Sequence, residues 1–129
     1  TDFRNKTVQI TKNLEVNAGN AADWAGSEPA NPWFPVNNFA GTFDGQGHTV
    51  SNLKISGNSS YLGFFGFTTN GSVSNLTIEN ASVSGRLGVG VVAGSPYTSK
   101  YTNIKVTGHV EVDGFAYVGG VGGRNAYGY

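Results

Sequence analysis

Apolar and polar residues alternate along this chain in short bursts, and three bursts share one frame. Val50-Ser51-Asn52-Leu53-Lys54-Ile55, Val73-Ser74-Asn75-Leu76-Thr77-Ile78 and Tyr101-Thr102-Asn103-Ile104-Lys105-Val106 each carry an asparagine followed by a branched apolar residue. A period of two in segments rich in Val, Ile and Thr predicts β-strands, and no window of ten or more residues has apolar positions at helical spacing. A second motif recurs in the same order between the frames, as Leu62-Gly63-Phe64-Phe65-Gly66, Val89-Gly90-Val91-Val92-Ala93-Gly94 and Val118-Gly119-Gly120-Val121-Gly122-Gly123. The steps from Asn52 to Asn75 to Asn103, and from Leu62 to Val89 to Val118, all fall in the twenties. Fixed order at such a period marks a solenoid, in which each repeat is one coil that cannot bury its apolar face alone.

The expected fold is therefore all-β, a right-handed parallel β-solenoid (β-helix) with coils of roughly 23–29 residues. Residues 1–129 form one domain, with 1–38 as a leading coil bearing a cap-like insertion and 39–129 as the repeat coils. Equivalent residues of successive coils stack about 4.8 Å apart. Val50, Leu53 and Ile55 are thus expected beneath Val73, Leu76 and Ile78, and those beneath Tyr101, Ile104 and Val106. Alternation breaks where Asn adjoins the next apolar residue, which predicts a corner and a ladder of side-chain amides joining Asn52, Asn75 and Asn103. Gly63, Gly66, Gly90, Gly94, Gly119, Gly120, Gly122 and Gly123 fall at bends where a positive φ or a close backbone approach excludes a Cβ. A phosphate loop is the rival reading of Gly119 to Gly123, but no Lys-Ser or Lys-Thr pair and no helix follows.

Composition narrows the partners. Eight Lys plus Arg balance eight Asp plus Glu without any run of like charge, which argues against nucleic acid and anionic membranes. No stretch approaches the roughly 20 apolar residues needed to span a bilayer. The absence of Cys excludes disulfides and metal-thiolate sites. No polar cap follows the last glycine-rich strand, so the sequence is expected to be an excerpt of a longer protein. Further coils of that parent chain, or another copy stacked end to end, are the expected partners.

Trp33-Phe34-Pro35-Val36 followed by Phe39-Ala40-Gly41-Thr42-Phe43-Asp44-Gly45-Gln46-Gly47-His48-Thr49-Val50-Ser51-Asn52-Leu53 resembles the opening of GLUG-repeat β-solenoid domains. Those read as a Trp-x-Pro-Ile-Gly element, a Phe-x-Gly-x-Phe-Asp-Gly-x-Gly-x-x-Ile-x-Asn-Leu element, and repeated Gly-Leu-Phe-Gly strands, which the three glycine motifs match. Phe3 to Asn17 looks like the leading coil of that family, although Asn13 and Glu15 stand where it has two Asp, and Val36-Asn37 where it has Ile-Gly. The resemblance implies a stalk or display module of bacterial cell-surface or secreted proteins, including adhesin-like proteins and non-catalytic regions of immunoglobulin-A-type peptidases. It transfers no catalytic residue.

Parallel β-helices also host polysaccharide-cleaving enzymes, which makes pairs of acids the next candidates. Glu111 and Asp113 share a strand face, with His109 on the same alternation, and a solvated face explains them equally well. Asp44 in Phe43-Asp44-Gly45-Gln46-Gly47 reads as a tight turn, since one carboxylate falls short of the oxygen ligands calcium takes. His48 and His109 have no partner at zinc spacing. No catalytic residue, metal or cofactor is assigned. Trp24 and Trp33 lie in or beside the insertion Ala18 to Pro32, which either caps the stack or presents its rings to sugars. Tyr97, Tyr101 and Tyr117, with Tyr127 and Tyr129, form a further candidate aromatic strip. Asn-x-Ser/Thr sequences occur at Asn5, Asn58, Asn70, Asn75 and Asn80.

The expected role is a non-catalytic structural or adhesive repeat module at the cell surface or outside the cell. A carbohydrate-binding or carbohydrate-degrading β-helix and a head-to-tail filament subunit are the alternatives.

Overall fold

The computed structural model describes residues 3–18 and 31–123; Trp24, Tyr127 and Tyr129 lie outside them. The strands are β1 (Thr7–Gln9), β2 (Leu14–Glu15), β3 (Thr42–Asp44), β4 (Thr49–Ser56), β5 (Phe65–Thr69), β6 (Ser72–Ser84), β7 (Leu87–Gly90), β8 (Ala93–Tyr97), β9 (Lys100–Asp113) and β10 (Ala116–Gly119). Among the described residues there is no helix, and every strand pair is parallel. Parallel neighbours require the chain to leave and return between them. Here it returns in register.

The long strand β6 is the centre of the largest sheet. β3 and β4 are consecutive pieces of the row on one side of it, and β9 lies on the other. β1 and β2 extend the row beyond β3 and β4. Two columns run through all four rows: Thr7, Thr42, Ser72, Lys100 and Leu14, Val50, Ile78, Val106. Val50 to Ile78 and Ile78 to Val106 are equal steps, the same |i−j| of 28 that separates Asn52 from Asn80 and Asn75 from Asn103. Two smaller sheets pair β5 with β8 and β7 with β10, so the glycine motifs stack as the sequence aligns them, Leu62 beside Val89 and Val89 beside Val118.

The asparagine frames do not all stack. The frame at Val73 lies beside that at Tyr101, but the frame at Val50 lies beside Ile78-Glu79-Asn80-Ala81-Ser82-Val83, so Val50 meets Ile78 and not Val73. β6 carries two corners, at Asn75 and Asn80, each with its own Asn-centred frame. The short step from Asn52 to Asn75 is therefore one full coil less the distance between neighbouring corners, Asn75 to Asn80.

That register divides the expected ladder in two. In one, Asn103 Nδ2 donates to Asn75 Oδ1 at 3.0 Å, and Asn75 Nδ2 donates to Asp44 Oδ1 at 3.2 Å. In the other, Asn52 Nδ2 donates to the Asn17 carbonyl at 2.7 Å, Asn80 Nδ2 donates to Asn52 Oδ1 at 3.3 Å, and the His109 N–H donates to Asn80 Oδ1 at 2.9 Å. Corners need a left-handed residue, and asparagine tolerates that conformation because its amide bonds locally. Asn52, Asn75, Asn80 and Asn103 have φ of 63°, 55°, 58° and 53°.

Glycine replaces asparagine where a ladder stops. Gly45 lies level with Asn75, and a Cβ there would strike the Asn75 carbonyl; Gly108, at φ 76°, lies level with Asn80 and would strike its Oδ1. The extra residue His109 shifts the register between Glu79 and Ala81 and brings its N–H onto the last amide. Of the glycines in the repeated motif, Gly63, Gly66, Gly90, Gly94, Gly119 and Gly123 are held by close approach to neighbouring atoms without positive φ. Gly120 meets neither requirement, since nothing lies within 4 Å of its missing Cβ.

Inside the rows the core is continuous. Phe43, Val73 and Tyr101 form one column, Leu53, Ala81 and Val110 another, and Ile55, Val83 and Val112 a third. Phe39, Phe43, Phe64 and Phe65 fill the space between sheets with ring centroids 5.1–6.4 Å apart. Buried side chains of this size each contribute about 1.5–3 kcal/mol.

The corner geometry and the amide bonds of Asn52 separate by substitution. Asn52→Gly keeps the left-handed backbone and loses only the amide, for an expected cost of about 2 kcal/mol, while Asn52→Ala adds strain for about 3 kcal/mol in total. Asn103→Gly, at the exposed end of its ladder, is expected to cost under about 1 kcal/mol. Urea unfolding orders the three; equal costs for Asn52→Gly and Asn103→Gly would show that the buried ladder contributes nothing special.

Candidate functional site

The aromatic candidates occupy three different environments. Trp33 is half-buried: its ring stacks on Phe64 at 4.6 Å and 18°, and its Nε1–H donates to the Phe64 carbonyl at 3.0 Å. Both its face and its polar tip are thereby used within the fold. Tyr101 is turned towards the core column of Phe43 and Val73, and its hydroxyl shares a 2.8 Å hydrogen bond with Oγ1 of the fully buried Thr68. Burial pushes its pKa from the ordinary 10 up to about 12, with the Thr68 bond pulling weakly the other way. Tyr97 and Tyr117 are exposed, and Tyr117 occupies a left-handed position of its own at φ 58°. The described tyrosines do not make a single strip.

A different aromatic cluster lies on the outer face of β5 and β8. Phe67 and Tyr97 stack at 6.1 Å and 16°, and Tyr61 lies 6.0 Å from Phe67. After the buried Phe65 and Gly66, Thr68 is buried while Phe67 and Thr69 on either side of it are half-exposed. Sequence reasoning misses Phe67 and Tyr61 because Phe67 reads as a continuation of the buried Phe64-Phe65 pair.

The acidic candidates stay on a solvated face. His109 Nε2 and Glu111 Oε1 lie 3.1 Å apart, both well exposed, and Glu111 and Asp113 pair in register with Ser82 and Ser84. Nothing there excludes water from a reacting bond. Asp44 closes the turn, accepting from the Gln46 N–H at 2.8 Å as well as from Asn75. Among the described residues no three His, Asp or Glu side chains gather as metal ligands.

Two polar grooves mark the surface. One, of about 310 Å³, is lined by Asn13, Leu14, Glu15, Thr49, Ser51 and Glu79, where Glu15, Ser51 and Glu79 are register neighbours. The other, of about 400 Å³, is lined by Arg4, Asn5, Asn38, Ala40, Thr69 and Asn70. Three asparagines of the second groove, Asn5, Asn38 and Asn70, have φ of 61°, 58° and 55°. They are corner residues like those of the ladders, and the position of Asn70 one coil ahead of Thr98 is the signal the sequence offers for them.

No family model matches this chain, and no solved structure matches it. It is similar to Halomucin of Haloquadratum walsbyi (strain DSM 16790 / HBSQ001), 33% identical over 125 residues that cover 93% of this chain. The chain spans about 1% of the length of that protein. Among the described residues no helix is long and apolar enough to cross a membrane.

Tyr101 gives the fold a measurable alkaline limit. Its folded pKa lies above its unfolded one, so its contribution is complete below pH 10 and is lost as pH rises through about 12. Stability is expected to fall by up to about 3 kcal/mol across that window on this account. Tyr101→Phe should cost about 1 kcal/mol near neutrality, through the orphaned Thr68 hydroxyl, and should flatten the alkaline decline. Chemical denaturation of both proteins between pH 8 and 12 checks this; parallel profiles would assign the decline to other groups.

Proposed function

We propose that this chain is a run of right-handed parallel β-solenoid coils, a non-catalytic structural and adhesive module of a cell-surface or secreted protein. The observation that carries the reading is the parallel, in-register return of the chain from row to row, held by core columns and amide ladders. A chain that lies down beside itself row on row grows by adding units whose contacts are with their neighbours, which yields length and outer surface with a filled interior. The GLUG-like opening at Phe39 to Leu53 and the repeated glycine strands support the same reading. Halomucin is by its name a mucin, and mucins are extracellular; likeness to it over 93% of this chain supports that location.

The module's partner is a further coil. Among the described residues β9 is paired on one side only, and Phe115, Tyr117, Val118 and Val121 are exposed beside β10, Phe115 at 85%. A 14-residue strand edge with apolar neighbours seeks another parallel strand. The same surface favours a second reading, in which copies of the chain stack end to end into a filament.

Electron microscopy and small-angle scattering of the 129-residue chain over a concentration series test both readings. Short rods of constant length are expected for the module. Lengthening filaments that Val121→Lys abolishes would favour self-assembly, and an isotropic particle at every concentration would remove both.

A further inference from the structure

Five asparagines of this chain stand in Asn-x-Ser/Thr sequences, and the fold treats them in three ways. Asn75 and Asn80 lie inside β6 and belong to the ladders: Asn75 Nδ2 donates to Asp44 Oδ1 at 3.2 Å, and Asn80 Nδ2 donates to Asn52 Oδ1 at 3.3 Å. The residues that follow them, Leu76 and Ala81, are buried in the core. Asn5 and Asn70 each run directly into a strand, since Thr7 opens β1 and Ser72 opens β6. Their middle residues are tied as well: the Lys6 carbonyl accepts from the Thr42 N–H at 2.9 Å, and the N–H of buried Gly71 donates to Ser99 Oγ at 3.3 Å. Of the five, Asn58-Ser59-Ser60 alone contains no strand residue.

The Asn58 corner is also where the rows differ in length. Ser56, Ser84 and Asp113 form one register column, and Leu62, Val89 and Val118 form another. Between these columns the chain has five residues at 57–61, but four at 85–88 and four at 114–117. The extra residue has no counterpart to stack on, and the corner loops out. Its ends are fastened: the Gly57 N–H donates to the Ser84 carbonyl at 3.2 Å, and the Tyr61 N–H donates to the Leu87 carbonyl at 2.7 Å. Between them the Ser59 carbonyl accepts from the Arg86 N–H at 3.1 Å. Asn58 is exposed, and among the described residues no hydrogen bond engages its backbone or its amide.

A transferase that attaches a sugar to asparagine must grip the amide and the hydroxyl two residues on at once, so the three residues have to leave whatever they pack against. At β6 that means peeling a core strand away. At Asn58 it means giving up one backbone hydrogen bond. We infer that Asn58 is the acceptor for an N-linked glycan, and that the ladders close Asn75 and Asn80 to it. The new bond joins sugar C1 to Asn58 Nδ2; the bond from C1 to a phosphate oxygen of a lipid diphosphate donor breaks, the diphosphate leaves with the electron pair, and one amide proton passes to a base of the transferase. The inference rests on the extracellular location in the proposed function and adds a covalent modification to it. A sugar on this corner leaves the core columns and both ladders untouched, whereas one on Asn75 or Asn80 would set a bulky group where the amide of a neighbouring row lies.

The test incubates the full folded chain with a purified oligosaccharyltransferase and a lipid-diphosphate-linked chitobiose donor, and maps the product by glycopeptide mass spectrometry. Short synthetic peptides spanning each Asn-x-Ser/Thr sequence supply the rate of the unfolded acceptor. Relative to its own peptide, Asn58 in the folded chain is expected to react within about tenfold, and Asn75 and Asn80 at least about a hundredfold more slowly. Ser60→Ala should abolish modification at Asn58 and leave the urea unfolding curve where it was. Asn58 slowed as far as Asn75 overturns the inference, as does reaction of Asn75 or Asn80 in the folded chain at the peptide rate. Rods that take no sugar at Asn58 would overturn the acceptor and leave the structural module standing, while a sugar on Asn58 of an isotropic particle would do the reverse.

Discussion

Everything in this chain depends on the in-register parallel stacking of its rows, because that register decides which polar group meets which. Apolar columns alone would tolerate a slip of two residues, which keeps every side chain on its face: Val, Ile and Leu are near equivalents in volume, and one β-branched residue stacks acceptably on another. Amide ladders do not tolerate it. A slip of one residue would place Asn52 and Asn80 opposite side chains unable to complete their bonds, and Asn52 is buried. The core supplies most of the driving force, and the asparagines supply the register.

A ladder has ends, and each end here is finished by a different device. Asp44 starts one by accepting from Asn75, while Gly45 leaves room for the Asn75 carbonyl. Gly108 and the inserted His109 stop the other, trading a side-chain amide for a backbone N–H. Asn103 stops nothing: it donates to Asn75, and the described residues offer its Oδ1 no further donor. That amide stands on the same strand, β9, that among the described residues pairs on one side only.

The strands, their parallel order and the stacking of the glycine motifs are legible in the sequence, since alternation and motif order survive irregular steps. The register of the first asparagine frame is not. Val50-Ser51-Asn52-Leu53-Lys54-Ile55 resembles both Val73 to Ile78 and Ile78 to Val83, and the better letter match, Ser-Asn-Leu, belongs to the wrong corner. What distinguishes them is the step from Val73 to Tyr101, which the pairing of Val50 with Ile78 repeats and a pairing with Val73 would not. Glycine is the usual residue for conformational freedom, yet the left-handed corners fall mainly to asparagine, seven of the twelve non-glycine positive-φ positions among the described residues. Trp33, Tyr97, Tyr101 and Tyr117 share a residue class in the sequence, whereas exposure is set by packing. Tyr101 sits in a core column with its hydroxyl against Thr68, while Tyr97 ends a strand of buried residues and is exposed.

A repetitive interior restricts where new chemistry can arise. Any side chain pointing inward must match the rows on either side, so a polar innovation in the core would cost its unpaired desolvation. Corners are freer, because their residues already project towards water and already carry hydrogen-bonding groups. Where a corner column is filled on both sides, its amides satisfy one another, as Asn75 does between Asp44 and Asn103. When one member is replaced by a small apolar residue, the neighbours on either side are released together, a fixed distance apart on a rigid frame. In a fold of this kind, recognition sites are to be sought where the repeat fails.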